Sequence, residues 1–91
     1  MSVETYSLRV RGRVQGVGYR AATVRQAHLI GVRGWVRNVD DGSVEVYAVG
    51  SLAQLSELAG LLWKGPRWAE VRGVEEVEAA LEEHVGFFVR Q

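Results

Sequence analysis

The sequence has no cysteine, only one lysine beside ten arginines, and no net charge, since 11 basic residues balance 11 acidic ones over 91 positions. Without cysteine, disulfides, thiolate catalysis and cysteine-based metal sites are excluded. A net charge of zero argues against a basic surface over the whole chain, although it leaves room for a local patch. No apolar run approaches the length of a membrane span, and the N-terminal residues lack the layout of a signal peptide. We therefore expect a cytoplasmic protein that folds as one domain over residues 1–91.

Hydrophobic patterning in the first half of the chain predicts a strand, a helix and a hairpin. Apolar residues alternate with arginines over residues 6–14, the two-residue period of a strand with one buried face. Helical spacing begins at Arg20 and ends near Gly31, a residue type that often forms a left-handed helix cap. Two β-rich runs then flank an Asp-Gly turn at residues 40–43, which indicates a hairpin.

The second half predicts one more helix and one or two strands. Ser51 and Gln54 have the spacing of a capping box ahead of a leucine-rich helix that should end at Gly65 and Pro66. Weaker runs follow at residues 69–77 and 85–90, the second being either the last strand or an additional one. The order β-α-β-β-α-β predicts an α+β fold, a ferredoxin-like sandwich with a mainly antiparallel sheet and both helices on one face. The predicted core consists of Leu8, Val10, Val24, Ala27, Ile30, Val44, Val46, Leu55, Leu58, Leu62, Val71 and Phe87.

Residues 12–20 (GRVQGVGYR) place a glycine-containing turn between the first strand and the first helix. Backbone N–H groups in such a turn can converge on one point, and the helix N-terminus adds about half a positive charge. Arg20 at the helix start can grip two oxygens of one anion with its planar guanidinium. These features fit a phosphoryl group, whereas the glycines taken alone fit an ordinary tight turn equally well.

Two nucleotide-binding motifs fit this stretch poorly. Gly16, Gly18 and Ala21 have the spacing of the dinucleotide fingerprint, with Asp40 or Asp41 about twenty residues further on. That motif needs further βαβ units, and here a hairpin follows instead. The P-loop of nucleotide triphosphatases is excluded because no Gly-Lys-Ser or Gly-Lys-Thr occurs.

The predicted hairpin contains Asn38, the only asparagine of the chain. This residue should stand at the end of a strand, close to the turn. An amide cannot act as a base at neutral pH, but it can hold a water molecule by donating and accepting hydrogen bonds at once. A simple turn residue is the alternative interpretation.

Both stretches resemble the signatures of the acylphosphatase family. The matching residues are Gly12, Val14, Gln15, Gly16, Val17 and Arg20 in the first signature, and Gly34, Trp35, Val36, Arg37, Asn38, Gly42, Val44 and Gly50 in the second. Tyr19 departs from the family, which more often carries Phe or Met there. If its ring is buried, its hydroxyl needs a partner.

The resemblance implies metal-free hydrolysis of an acyl phosphate to a carboxylate and inorganic phosphate, with no cofactor. It implies that Arg20 and Asn38 are catalytic, Arg20 by binding the phosphoryl group and Asn38 by positioning the attacking water. The residues implied in phosphate binding are Gln15, Gly16, Val17, Gly18, Tyr19 and Arg20. We expect a monomer whose partner is a small acyl phosphate, with neither nucleic acid nor a membrane. His28 and His84 lack the spacing of a ligand pair, so no metal site is expected.

Two other functions stay open at this stage. A non-catalytic anion-binding or regulatory module could use the same fold and pocket. An RNA recognition motif shares the order of elements and binds bases on its open sheet face, where Arg9, Arg11 and Arg13 would lie. Its third strand should carry basic and aromatic residues, but Tyr47 stands near an acid there, so we expect a solvated, partly paired sheet face.

Overall fold

The computed structural model describes residues 3–77 and 79–90, which form five strands and two helices. In chain order these are β1 (Glu4–Arg13), α1 (Tyr19–Ile30), β2 (Arg33–Asn38), β3 (Val44–Gly50), α2 (Leu52–Lys64), β4 (Glu70–Val77) and β5 (Phe87–Val89). The strands form one sheet in the order β4-β1-β3-β2-β5, in which every neighbouring pair is antiparallel except β2 and β5. The α+β order predicted from the sequence is confirmed.

The C-terminal run is an additional strand. β4 pairs with β1 at one edge of the sheet, and β5 pairs in parallel with β2 at the other, where Val36 faces Val89. Parallel partners need a long connection between them. Because β4 and β5 lie at opposite edges of the sheet, the chain crosses from one edge to the other after β4, and residues 79–86 lead into β5.

The two faces of the sheet are both partly covered. The face toward the helices carries the main core, which includes Val10, Val36, Val44, Leu55 and Phe87. Three residues expected there from the sequence are only partly buried at its margin, namely Val24, Ile30 and Val71.

The opposite face carries a second buried cluster around Trp35 and Tyr47, whose rings stack at 5.6 Å. Residues 79–86 cover these rings: the Tyr47 hydroxyl donates to Ala80 O at 2.8 Å, and Trp35 Nε1 donates to Glu82 Oε1 at 3.3 Å. The expectation of a solvated face is therefore wrong for this half of the sheet. Tyr47 is 1% exposed, so its ring is not displayed for stacking on a base.

The other half of the same face carries arginines, and it is partly paired as expected. Arg9 Nη1 and Arg11 Nη1 lie 3.6 and 3.3 Å from Asp41 Oδ2, and Arg11 Nη2 lies 3.9 Å from Glu75 Oε1. These contacts join β1 to the β2–β3 turn and to β4. Surface ion pairs of this kind each contribute little to stability. They neutralise Arg9 and Arg11, two of the three arginines of β1.

Helix α1 begins at Tyr19, one residue before the start predicted from the sequence, and buries Tyr19, Thr23 and Ala27. These three positions are four residues apart, so they form one face of the helix. Thr23 tolerates burial because its hydroxyl donates to Tyr19 O at 2.9 Å.

The buried hydroxyl of Tyr19 has a partner in α2. It donates to Leu62 O at 2.8 Å. In a regular helix this carbonyl would accept from the N–H four residues later, but that residue is Pro66, which has no N–H. Tyr19 therefore supplies the donor that the end of α2 lacks, and burial raises the pKa of its phenol.

Helix α2 has the start and end predicted for it. Gln54 N donates to Ser51 Oγ at 3.2 Å and Ser51 N donates to Gln54 Oε1 at 2.9 Å, which completes the capping box. Gly65 N donates to Leu61 O at 2.9 Å and closes the helix. Gln54 Nε2 also donates to Ile30 O at 3.1 Å, which ties the start of α2 to the end of α1. Neither helix has the length and apolar character needed to span a membrane.

Candidate active site

The loop of residues 14–18 leads from β1 into an α1 N-terminus that has no side-chain cap. Gly16 and Gly18 have φ angles of 74° and 81°, a region that other residues rarely adopt. The first hydrogen bond of the helix runs from Ala22 N to Gly18 O at 3.1 Å. Within the described residues, none of the N–H groups of residues 16–21 donates to a protein acceptor. The loop thus presents a row of unused donors, as an anion site requires.

A concavity of about 280 Å³ opens beside these donors. It is lined by Val14, Gly16, Gly18, Tyr19, Arg20, Ala21 and Val89. A Cβ atom at Gly16 or Gly18 would have no neighbour within 4 Å, so the loop backbone is open on that side. Val89 comes from β5, and nothing in the sequence pattern indicates that the last strand contributes to this site.

Arg20 supplies the charge of the concavity. It is the second residue of α1 and is partly buried. Its side chain makes no ion pair with any acid in residues 3–77 and 79–90, and no acid stands in the first turn of α1. The guanidinium and the positive end of the helix therefore act together on whatever occupies the concavity.

Asn38 ends β2, where it pairs with Val44 of β3. Its Oδ1 atom is buried, and it accepts no hydrogen bond from the described part of the chain. This acceptor is therefore available for a hydrogen bond from water or a ligand. Asn38 does not line the concavity itself.

Gln15 brings Asn38 and the loop to the same end of the sheet. Its Nε2 atom donates to Val39 O and to Ser43 O, both at 2.8 Å. These carbonyls lie on the two sides of the β2–β3 turn, directly after Asn38 and directly before Val44. Of the six residues expected to bind phosphate, four line the concavity, whereas the Gln15 side chain points to this turn and Val17 packs on the core.

The turn itself is held by Asp41. Its Oδ1 atom accepts hydrogen bonds from the backbone N–H and the hydroxyl of Ser43. These two bonds, with the nearby Arg11, lower the pKa of the Asp41 carboxyl from 3.8 to about 2. The second signature also needs Gly34, because a Cβ atom there would lie 1.9 Å from Tyr47 O.

No group of three or more His, Asp or Glu side chains that could hold a metal ion occurs in the described ranges 3–77 and 79–90. The groups that lie in or beside the concavity include the backbone N–H donors of the loop, the Arg20 guanidinium and, at the same end of the sheet, the side-chain amides of Gln15 and Asn38. Fold and site together define a small ferredoxin-like domain whose first helix begins, without a side-chain cap, beside an arginine.

Comparisons with known proteins place this domain in a family. A family model for acylphosphatases matches residues 6–89. The acylphosphatase of Solibacter usitatus is 59% identical over 81 residues, which are 89% of this chain and 84% of that protein. The crystal structure of acylphosphatase from Bacillus subtilis aligns with a TM-score of 0.92 at 32% identity, covering 99% of this chain and 100% of that one. The structure of an acylphosphatase from Coxiella burnetii gives 0.91 at 34% identity, covering 97% and 93%.

The chain belongs to the acylphosphatase family. This confirms the resemblance seen in residues 12–20 and 34–50, the ferredoxin-like α+β fold and the expectation of an acylphosphatase enzyme.

Proposed function

We propose that the chain hydrolyses acyl phosphates to a carboxylate and inorganic phosphate without a metal ion, with Arg20 and the loop holding the phosphoryl group and Asn38 orienting water. One observation carries this proposal: the row of unused N–H donors at residues 16–21 stands beside an arginine that no acid in the described residues neutralises. The proposed ligands of the phosphoryl oxygens are the N–H groups of residues 15–19 and the Arg20 guanidinium.

The binding step follows from the charges. A phosphoryl group carries negative oxygens in several directions, and a loop of converging N–H groups can contact more than one of them. Arg20 adds a planar pair of donors with a permanent positive charge. Since these donors are held by the backbone before the substrate arrives, little reorganisation is needed when charge develops.

The chemical step needs a nucleophile but no proton donor. The leaving carboxylate belongs to an acid with a pKa of about 4, so it departs without general acid catalysis. In a loose phosphoryl-transfer transition state the charge spreads over the equatorial oxygens, which the loop and Arg20 would contact. Catalysis then consists mainly of positioning and electrostatics.

Asn38 would provide the positioning of water. Its buried Oδ1 can accept a hydrogen from a water molecule, while its Nδ2 group can donate to the water or to the phosphate. An amide does not remove the proton of this water, so we propose that the phosphate itself accepts it. No covalent phospho-enzyme is part of the proposal.

Phosphate release from acetyl phosphate, measured in the presence of a chelator, tests the proposal. A phosphate monoester such as p-nitrophenyl phosphate is the matched control, because its leaving group is a poorer one. We expect chelator-resistant release from the acyl phosphate and little from the monoester. Binding of inorganic phosphate without any release would instead support the non-catalytic module, and loss of release with the chelator would contradict the metal-free step.

The proposed partner is a small acyl phosphate, and neither nucleic acid nor a membrane belongs to the proposal. The monomeric state and the cytoplasmic location remain predictions from size and from the absence of cysteine.

A further inference from the structure

The Gln15 side chain forms the most specific contact between the loop and the hairpin. One amide nitrogen donates to two carbonyls, Val39 O and Ser43 O, each at 2.8 Å. Both carbonyls already accept a backbone hydrogen bond, from Gly42 N at 3.0 Å and from Val39 N at 2.9 Å respectively. A carbonyl has two lone pairs, so each can take this second donor.

Few residue types can make this contact. The two carbonyls need a group with at least two N–H hydrogens at the end of a side chain of this length. Glutamate offers no hydrogen when ionised, and methionine has the length but no donor. Contact with the carbonyls therefore explains a glutamine here without any contact between its side-chain amide and phosphate.

The same contact lies next to Asn38 in the hairpin. The two carbonyls belong to Val39 and Ser43, which adjoin the last pair of the β2–β3 ladder, Asn38 and Val44. Asn38 Oδ1 has no partner of its own in the described residues. Within the described residues, Gln15 thus joins the loop to the backbone on both sides of the turn that follows Asn38.

We infer that Gln15 is a positioning residue whose side chain fixes Asn38 relative to the phosphate-binding loop. The water bound by Asn38 then faces the phosphorus atom of the phosphoryl group held by the loop. This inference rests on the proposed function. It predicts that loss of the side-chain amide impairs turnover and leaves phosphate binding intact, because the loop N–H groups and Arg20 are unchanged.

The first experiment compares Gln15→Met with the matched control Gln54→Met. Gln54 also joins two segments through its amide, but at the far end of α1 and outside the concavity. We expect Gln15→Met to lower kcat by on the order of 10–100-fold, the scale of a small misplacement. The dissociation constant for inorganic phosphate should stay the same, and Gln54→Met should keep both values. An equal fall in kcat for the two variants would overturn the inference.

A second variant gives a readout in pH. In Gln15→Glu the ionised carboxylate faces two carbonyl oxygens and repels them, whereas the protonated acid can donate to one of them. The ratio of kcat between Gln15→Glu and the wild type should therefore rise as the pH falls through the range in which this carboxyl protonates. A ratio that does not change with pH, measured on a folded variant, would contradict the positioning role.

A third readout does not depend on activity. Because Asn38 is the only asparagine, labelling with ¹⁵N-asparagine gives the NH₂ signal of one side chain, a pair of ¹H–¹⁵N peaks. This signal should move in Gln15→Met and stay in Gln54→Met. If it stays in both, and Gln15→Met binds phosphate more weakly, the Gln15 amide is a phosphate ligand and the inference is wrong. A wild-type chain that releases no phosphate would overturn the proposed function, whereas the ¹⁵N signal would still decide the inference.

Discussion

Within residues 3–77 and 79–90, the Arg20 guanidinium has no ion-pair partner and Asn38 Oδ1 accepts no hydrogen bond, but the two groups differ in chemistry. Arg20 is a charged donor at the edge of a concavity, and Asn38 Oδ1 is a neutral acceptor buried behind a strand end. A charge attracts the phosphoryl group before and during reaction, whereas a neutral acceptor contributes mainly when water is being oriented. The contributions of the two residues to binding and to turnover should therefore be separable.

Arg20→Ala is expected to lose both phosphate binding and turnover, because removal of a preorganised donor costs on the order of 10²–10³ in rate. Asn38→Ala is expected to lose turnover and keep phosphate binding. Titration with inorganic phosphate and steady-state kinetics on acetyl phosphate measure the two effects. Equal loss of phosphate affinity in both variants would contradict the division of roles.

Tyr19→Phe is expected to destabilise the fold without affecting the chemistry. The change removes the donor to Leu62 O and leaves a buried carbonyl unpaired, since Pro66 has no N–H to replace it. We expect the free energy of unfolding to fall by about 1–3 kcal/mol in a denaturant titration, with kcat unchanged.

Tyr6→Phe is the control, because the Tyr6 hydroxyl makes no hydrogen bond to the described residues and its loss should cost little. If Tyr19→Phe is as stable as the wild type, the account of the helix end is wrong.

At the N-terminus of α1, Gly18 has a left-handed backbone conformation and lines the proposed phosphate site. Gly18 caps the helix at φ 81°, and a Cβ atom there would meet nothing within 4 Å. Any cost of Gly18→Ala therefore comes from conformation and not from a clash. We expect this variant to lose about 1–2 kcal/mol of stability and to bind phosphate more weakly, as the N–H groups shift.

Gly60→Ala provides the matched comparison. Gly60 lies in the exposed interior of α2, and a Cβ atom there also has no neighbour within 4 Å. This change should raise the free energy of unfolding by about 0.5–1 kcal/mol and leave phosphate affinity alone. Similar behaviour of the two variants would show that Gly18 is not selected for its conformation.

The β2–β3 turn should respond to acid through Asp41. Hydrogen bonds from Ser43, followed by the effect of Arg11, lower the pKa of its carboxyl from 3.8 to about 2 in the folded chain. A lowered pKa means that this stabilisation is complete above the unfolded value of 3.8 and is lost as the pH falls toward about 2. The difference in unfolding free energy between the wild type and Asp41→Asn should therefore shrink over that range, and a constant difference would contradict the assignment.

At the scale of the molecule, periodic patterns predicted most of the fold. Some patterns depend only on neighbours within a few residues, so the sequence predicts them directly. They are the alternation in β1, the leucine stripe of α2 and the capping box at Ser51. The pairing of β5 cannot be predicted from the sequence, because its three residues carry no period of their own and their partner depends on which sheet edge is free. Coverage of Trp35 and Tyr47 by residues 79–86 could not be predicted for the same reason.

The residues of the candidate site also differ in how far the sequence predicts them. The glycines and Arg20 form a local signal, because a strand, a turn and a helix start within nine residues imply an anion cradle. The partners of Gln15 lie 24 and 28 residues further along the chain, so only the folded sheet brings them to its amide. The family resemblance implies that Gln15 binds phosphate, which stays a prediction, whereas the contact of its side chain with the hairpin has no signal in the sequence.

Phosphate binding and the stability of the whole molecule should be linked. A ligand that binds only the folded chain stabilises it by RT ln(1 + [L]/Kd), which is about 2.7 kcal/mol when its concentration is 100 times Kd. Inorganic phosphate should therefore raise the Tm of the wild type and of Asn38→Ala, and it should have little effect on Arg20→Ala. Chloride at matched ionic strength controls for screening of the Arg9 and Arg11 pairs with Asp41. Because melting needs no turnover, equal stabilisation of all three proteins would disprove the role of Arg20 whatever the kinetics show.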